Sequence, residues 1–596
     1  MKRGRLTRCL AGLLACVLLS GCAPKSSTTF QIFDLPPEPS EQMMDENYTG
    51  ADYFAPGSES TYVDTQVYND VIIPAPGTVA GGFGEPDGFD MSESYNEQAY
   101  NVNDMIHGDL TYGVVVTSDA LINPLQCTNR DLYAVNQLVF ESLIDLDEEM
   151  RPVPLLADTW EHSGNVWTFT LREGVRFHDG RNLTAGDVDS SYREILRNPG
   201  TIWYELAQQI EDMAVVDDRT LRVRSAGAGT MVLYAMTFPV VQQQSIQSTM
   251  PQGTGPYWYI RYIEGTSLRL ERNPIWWKVP SDQFQSIVVI LYKSIRSALF
   301  GLEAGEIDAI ATDYPVAAIN RTLSDRLTVD YSIQTYECIV PNLRHGILSD
   351  LAVRQALMYA IDRVTLGNTV YTGMVQECEV PVIPGSWLYD AQATKYNYSP
   401  ERALQVLHNA GWEDSDYDGI LEKEIDGQVR NLSLKLITAD RGTTATRSEA
   451  AELIAQQLRV IGVDVTVEVG TASALKSALD NGKFELALCG FEMSTMPNLA
   501  FLFASQARNS SNYSRYVNNQ MDAYLREAYN ANDEAMEELL SAMSSVQMQV
   551  VEDLPILGLF FRSGVLISKK PLGGLTGTRQ YDVLRGIAGV HIEPPI

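Results

Sequence analysis

Two short stretches of this sequence carry reactive or ligating groups at close spacing. Leu19-Ser20-Gly21-Cys22 sets a thiol behind two small residues, where a peptidase can approach the backbone and the sulfur can take a lipid. Asp414-Ser415-Asp416-Tyr417-Asp418-Gly419 spaces three carboxylates like the opening of a calcium loop. Its twelfth position is Ile425, with Glu424 one step early, so a solvated Asp-rich turn is the better reading and no resident metal is expected. Only six histidines occur, none in an HExxH arrangement, and there is no GxSxG, Walker A or metal-spaced Cys/His set. Without a nucleophile beside a base, enzyme activity has no constellation to rest on, and no cofactor is implied.

The elements that position these groups begin at the N-terminus. Met1 to Arg8 is cationic and Cys9 to Leu19 apolar, a signal-peptide pattern whose core falls short of the ~20 residues a membrane helix needs. The run into Cys22 resembles the lipobox of bacterial lipoproteins. Residues 1–22 are therefore read as a signal peptide, with Cys22 the lipidated residue anchoring the chain to the outer face of the cell membrane without spanning it. Residues 23–108 follow as an acidic, Pro/Gly-rich tether: Lys25 and Arg130 are separated by no other Lys or Arg. The net charge of −32 argues against nucleic acid as a partner, since phosphates would repel it.

From Leu110 the pattern becomes globular. Thr111 to Val116 reads as a buried strand, Val135 to Leu143 has helical spacing, and Val166 to Leu171 alternates as a strand. Thr184 opens a helix, Asp350 caps one through Ala360, Ser399-Pro400-Glu401 starts another, and Ser448 to Ile461 is amphipathic. Strands alternating with helices predict a mixed α/β architecture. Of seven cysteines, Cys9 and Cys16 fall in the signal peptide and Cys22 takes the lipid. Cys127, Cys338, Cys378 and Cys489 remain; buried free thiols are the first reading and a Cys338–Cys378 bridge the second.

Segments spread along the body carry a resemblance. They include Pro154-Leu155-Leu156-Ala157-Asp158-Thr159-Trp160-Glu161, Phe177-His178-Asp179-Gly180-Arg181-Asn182-Leu183-Thr184, Gly253-Thr254-Gly255-Pro256-Tyr257, Arg272-Asn273-Pro274 and Gly305-Glu306-Ile307-Asp308. Asp350-Leu351-Ala352-Val353-Arg354-Gln355-Ala356-Leu357 and Ala410-Gly411-Trp412 continue the series. In this order they resemble the extracellular solute-binding proteins of family 5, which serve oligopeptide, dipeptide and nickel ABC importers. The segments read as structural: Asp179-Gly180 is a turn, and Asp350 and Arg354 stand one helical turn apart, as an ion pair would.

The resemblance implies a two-lobed periplasmic-binding-protein fold of type II, in its large peptide-binding subclass, with an interlobe cleft and hinge. Residues 109–337 would form lobe one, 338–556 lobe two, and 557–596 would return to lobe one. The chain would cross near Tyr336–Val340 and Pro555–Phe560. The family's Gly-Trp-x-x-Asp run supplies an aromatic and an aspartate that meets a peptide's amino terminus. Here the matching stretch is Cys489-Gly490-Phe491-Glu492-Met493-Ser494-Thr495-Met496-Pro497, one residue shorter, with Phe491 for tryptophan and Ser494 or Thr495 where the aspartate belongs. Either Glu492 takes that role or the ligand lacks the charge. Phe491, Glu492, Met493 and Ser494 are thus candidate ligand residues, with Asn123, Arg130 and Tyr257 facing them from lobe one. The expected function is capture of a short peptide for ABC permease subunits by a monomer. An oligosaccharide or metal chelate on the same scaffold, or a surface receptor that does not transport, are the alternatives.

Overall fold

The computed structural model describes residues 108–589 apart from 117–120, 227–228, 280–283, 426, 441–444, 507–510 and 534–535. Cys22 and the 23–107 part of the acidic segment lie outside the described residues. An eleven-stranded mixed sheet organises the described part. In chain order its main strands are β1 (Leu110–Val115), β2 (Tyr257–Ile263), β3 (Ser267–Arg272), β4 (Ser286–Tyr292), β5 (Ala309–Thr312), β6 (Leu327–Pro341), β7 (Ser433–Ala439), β8 (Asp464–Gly470), β9 (Leu486–Glu492) and β10 (Leu557–Ser568). Hydrogen-bonded neighbours run β8-β7-β9-β6-β10-β5-β1-β4-β3-β2, and the short strand Val375–Glu377 pairs with β10. β1 lies parallel to β4 and β5, and β7 parallel to β8 and β9. Parallel strands covered on both faces need continuous apolar runs, and β1, β4 and β9 supply them. A four-stranded antiparallel sheet of Ala157–Ser163, Val166–Leu171, Thr220–Ser225 and Ile210–Asp217 stands apart from it.

β6 and β10 span 15 and 12 residues, and the two halves of the large sheet share only this pair. Leu327–Ser332 pairs with Ser563–Ser568 and Tyr336–Ile339 with Leu557–Phe561; the register shifts between Ser332 and Tyr336 and again between Glu337 and Cys338. At one end β5 joins β10, and at the other β9 joins β6. A mixed α/β body whose halves are joined through two long strands is the two-lobed binding-protein fold.

Local expectations fare unevenly. Helices form at Ala185–Ile195, Leu351–Ala360 and Pro400–Asn409, each opening where its capping residue or proline predicts, and the amphipathic stretch from Ser448 forms the helix Thr446–Arg459, which opens two residues earlier behind Ala445 with no side-chain cap. The helix anticipated over Val135–Leu143 instead runs Arg130–Asn136 and stops. Tertiary hydrogen bonds win there: the Leu138 and Val139 carbonyls accept from Tyr257 and Gly255 N–H at 2.9 and 3.0 Å. A Cβ on Gly253 would meet the Val139 oxygen at 2.0 Å, which is why this loop needs glycine. The Asp350–Arg354 ion pair also gives way. Asp350 caps Ala352 N–H at 3.0 Å, while Arg354 donates to the Leu348, Ser349 and Asp553 carbonyls. The four body cysteines are free and buried. Cys338 faces Cys489 across β6 and β9, and Cys378 donates to the Val380 carbonyl at 2.9 Å, so the Cys338–Cys378 bridge does not form.

The recognisable Phe177-His178-Asp179-Gly180 segment proves to be scaffold. His178 Nδ1 accepts from Gly253 N–H at 3.2 Å and its Nε2 lies 3.2 Å from the Gly255 carbonyl. Burial pulls this imidazole down to about 4, so it stays neutral while holding the loop. Glu141, which no sequence motif flags, accepts from Thr254, Trp276 and Trp277 and fixes the other side of the same loop.

Candidate functional site

The site is built where β9 ends. Pleating turns alternate side chains to opposite faces, and β9 is buried along its length until Glu492. Phe491 is buried and stacks on Tyr513 with centroids 6.3 Å apart. Gly490 lies under the buried Glu337–Arg447 pair, whose two contacts are both 3.0 Å; a Cβ there would come within 2.6 Å of the guanidinium. The glycine of the Cys489-Gly490-Phe491 stretch is therefore required by packing.

Glu492 meets residues from both ends of the described chain. Arg130 opens the helix Arg130–Asn136, whose cap Asn129 accepts from Asp131 and Leu132 N–H and donates to the Val115 carbonyl at the end of β1. Its guanidinium reaches Glu492 Oε2 at 2.5 Å, and the Tyr581 hydroxyl donates to Glu492 Oε1 at 2.6 Å. Burial raises the Tyr581 hydroxyl well above the usual tyrosine range, and the Glu492 charge adds to this, so it remains a donor. Tyr581 adopts φ +69, a left-handed conformation that a bulky residue holds only when its surroundings fix it. Those surroundings are the ion pair of Arg585 with Asp145 at 2.7 Å, bonds from Arg579 to the Leu146 and Asp147 carbonyls, and the Tyr133 ring edge-on at 5.7 Å. No sequence signal marked Tyr581, because the C-terminal segment lacks periodicity and its partners are distant in the chain: Glu492 lies 89 positions upstream, and Asp145, Leu146 and Asp147 more than four hundred.

Beside this contact lies an apolar crevice with about 490 Å³ of space between its walls, solvent at its mouth included. Met150 and Tyr234 line one side; Trp387, Met493, Met496 and Met543 line the other. Ser494 lies in the wall, its hydroxyl accepting from Met496 N–H at 3.1 Å. Across the same seam Trp387 N–H donates to the Glu149 carbonyl at 2.9 Å, and Thr230 N–H to Ala531 at 2.8 Å.

Of the seven residues singled out from sequence, Arg130 and Glu492 touch, and Phe491, Met493 and Ser494 flank them. Asn123 is buried elsewhere, its amide tying the Ile246 and Ser248 carbonyls at 2.9 and 3.0 Å. Tyr257 is buried too, with its hydroxyl on the Phe284 carbonyl at 3.0 Å. In the acidic turn, ligand atoms of Asp414, Asp416 and Glu422 lie within 4.8 Å of one another, so the third acid is Glu422 and not Glu424.

Two lobes meeting over a charged contact and an apolar crevice define a solute-binding protein. The chain belongs to the bacterial extracellular solute-binding proteins, family 5, whose middle-region model matches residues 151–513. It is 26% identical to the oligopeptide-binding protein AppA of Bacillus subtilis over 499 residues, covering 78% of this chain and 88% of that protein. It is likewise 26% identical to the nickel-binding periplasmic protein of Escherichia coli over 384 residues, 61% of this chain and 71% of that one. Heme-binding protein A of Haemophilus influenzae matches at 24% over 503 residues, 76% of this chain and 87% of that one. Among solved structures, Bacillus subtilis AppA with a nonapeptide superposes at TM-score 0.56 and 22% identity, covering 81% of this chain and 98% of that one. Brucella suis NikA with Fe(III)-EDTA superposes at TM-score 0.64 and 23% identity, covering 78% and 96%. At these identities the structural likeness speaks for the fold.

Proposed function

We propose that this chain is the solute-binding lipoprotein of an ABC importer, capturing short oligopeptides between its lobes and delivering them to the permease. The observation that carries the reading is the meeting of Arg130, Glu492 and Tyr581 at the end of β9, in a family member whose Bacillus subtilis relative is named for oligopeptide binding. A peptide brings an ammonium and a carboxylate. Glu492 suits the first and Arg130 the second, each exchanging its present partner for a charged hydrogen bond to ligand. Residues 109–337 with 557–596 form one lobe and 338–556 the other, and the shifted registers of β6 against β10 supply the hinge. Cys22 holds the monomer on its membrane beside the permease, the 23–108 tether gives it reach, and the chain has no enzymatic step to perform.

A second reading rests on Arg130. A cation at the cleft also suits the carboxylates of a metal chelate or a heme, and relatives named for nickel and heme binding match this chain. Native mass spectrometry of the purified chain, followed by thermal shifts with tri- to hexapeptides, nickel–histidine and heme, separates the two. Peptides should raise the melting temperature by mass action. A shift with chelate or heme and none with the peptide library would overturn the peptide assignment.

A further inference from the structure

Resting on the lobes and hinge assigned above, we propose that Gln580 is a positioning residue that clips the β6 crossover, so that the C-terminal segment sets how readily the lobes part around a ligand. Ser332 and Tyr336 of β6 pair with Ser563 and Phe561 of β10, so Ile333, Gln334 and Thr335 stand opposite Arg562 alone. That offset interrupts the ladder on one edge of the crossover. On the other edge β9 gives out at the same place: the Gln334 carbonyl accepts from Met493 N–H at 2.7 Å, one residue beyond the strand. The C-terminal segment takes over there. Arg579 forms a parallel bridge with Ser332, and Gln580 N–H donates to the Ser332 carbonyl at 3.1 Å. The side-chain Oε1 of Gln580 then accepts from Gln334 N–H at 2.6 Å.

A side chain does here what main chain ordinarily does. A residue in a parallel ladder bonds through both its N–H and its carbonyl to the neighbouring strand. Gln580 makes the first bond with its backbone, but the chain turns away at Tyr581, φ +69, and the amide oxygen supplies the second. Gln334 is buried, so removing that acceptor orphans an N–H that the folded crossover has already desolvated. Three consecutive residues join the lobes through this point. Arg579 donates to the Leu146 and Asp147 carbonyls of lobe one, Gln580 holds the crossover, and Tyr581 donates to Glu492 at the end of β9 in lobe two. Parting the lobes about this stretch loads the bonds at Gln580 and Tyr581 together. The clip favours the arrangement in which Arg130 and Tyr581 meet Glu492, before any ligand enters.

Spin-label distances in the ligand-free, detergent-solubilised full chain test this without presuming a cargo, with labels at Phe300→Cys in lobe one and Val460→Cys in lobe two, both exposed. Gln580→Met keeps the length of the side chain and removes the acceptor, whereas Gln580→Glu keeps the acceptor. Gln580→Met should lower the ratio of closed to open molecules roughly tenfold, the effect of depriving a buried N–H of its partner in one state only. Gln580→Glu should stay close to the parent; a residue that merely fills space would show the opposite order. A Gln580→Met distribution equal to the parent's would overturn the clip, and so would equal lengthening in both variants, because the acceptor would then not be responsible. Arg130→Gln reports whether the labels sense opening. If it lengthens the distances and Gln580→Met does not, the clip falls and the hinge stands; if neither does, the hinge assigned to β6 and β10 falls and takes the clip with it.

Discussion

Replacing Arg130 with glutamine removes a charge that bridges the two halves of the large sheet, and the size of the effect follows from exposure. The Arg130 side chain is 38% exposed and that of Glu492 18%, at an N–O distance of 2.5 Å. An exposed pair contributes about 0.2–1 kcal/mol, and breaking a fully buried one costs about 3–5 kcal/mol. Arg130 is wet enough for water to screen it, so the pair lies near the lower figure, and about 1–1.5 kcal/mol is the working value. That amounts to roughly a tenfold change in the ratio of closed to open molecules. Spin labels at Phe300→Cys and Val460→Cys, positions 67% and 68% exposed, report the distance between the proposed lobes in the ligand-free chain lacking residues 1–22. The four body thiols are buried and leave the labelling specific. Arg130→Gln and Glu492→Gln should each broaden the distribution toward longer distances, and the double variant should add little to the larger single effect. Two shifts that simply sum would show that the residues act independently, and the interlobe latch would fall.

Burial holds the folded-state His178 pKa at about 4, whereas an unfolded histidine titrates near 6.5. The unfolded chain therefore takes up a proton that the folded chain refuses, and stability falls as pH drops from about 6.5 toward 4, by up to about 3 kcal/mol. Urea midpoints across that window should show the loss, and His178→Gln should flatten it; parallel slopes would refute the assignment. Burial pushes the Cys127 and Cys378 thiols up to about 12. Iodoacetamide at pH 8 should consequently spare all four body thiols in the native protein and modify them in guanidinium, as read by peptide mapping. Gly490→Ala, whose Cβ would press on the buried Glu337–Arg447 pair, should cost about 2–4 kcal/mol in urea unfolding. A midpoint equal to the parent's would contradict that packing argument.

Legibility in the sequence tracks how local the determining force is. Caps and amphipathic faces act within a turn or two, so the helices opening at Thr184, Asp350, Ser399 and near Ser448 were readable. The helix at Arg130–Asn136 was misplaced because the Gly253–Tyr257 loop claims the Leu138 and Val139 carbonyls, a contact more than a hundred positions away. The candidate site divides along the same line. Glu492 was visible as the lone acid in an aberrant motif, and Arg130 as a residue of the lobe-one loop that the family resemblance sets facing the cleft. Tyr581, Trp387 and Tyr234 depend on strand order and on the Arg585–Asp145 pair, which no local pattern encodes.

The shortened segment has a mechanical consequence. An acid in a loop can turn toward whatever enters the cleft, but Glu492 is the last residue of β9. With Phe491 committed to Tyr513 on one face, the pleat sends Glu492 to the other, where Arg130 and Tyr581 receive it. A ligand ammonium at this carboxylate competes with Arg130 for its charge, and a ligand carboxylate at Arg130 competes with Glu492, which keeps the Tyr581 hydroxyl. Charge recognition and lobe closure are on this account one equilibrium: a charged peptide end exchanges an internal ion pair for an external one. A neutral ligand, by contrast, leaves the latch intact and adds only its apolar contacts. Blocking both peptide ends should therefore cost less affinity in this protein than in a relative whose recognising acid has no internal partner, and calorimetry of free against blocked peptides measures that difference.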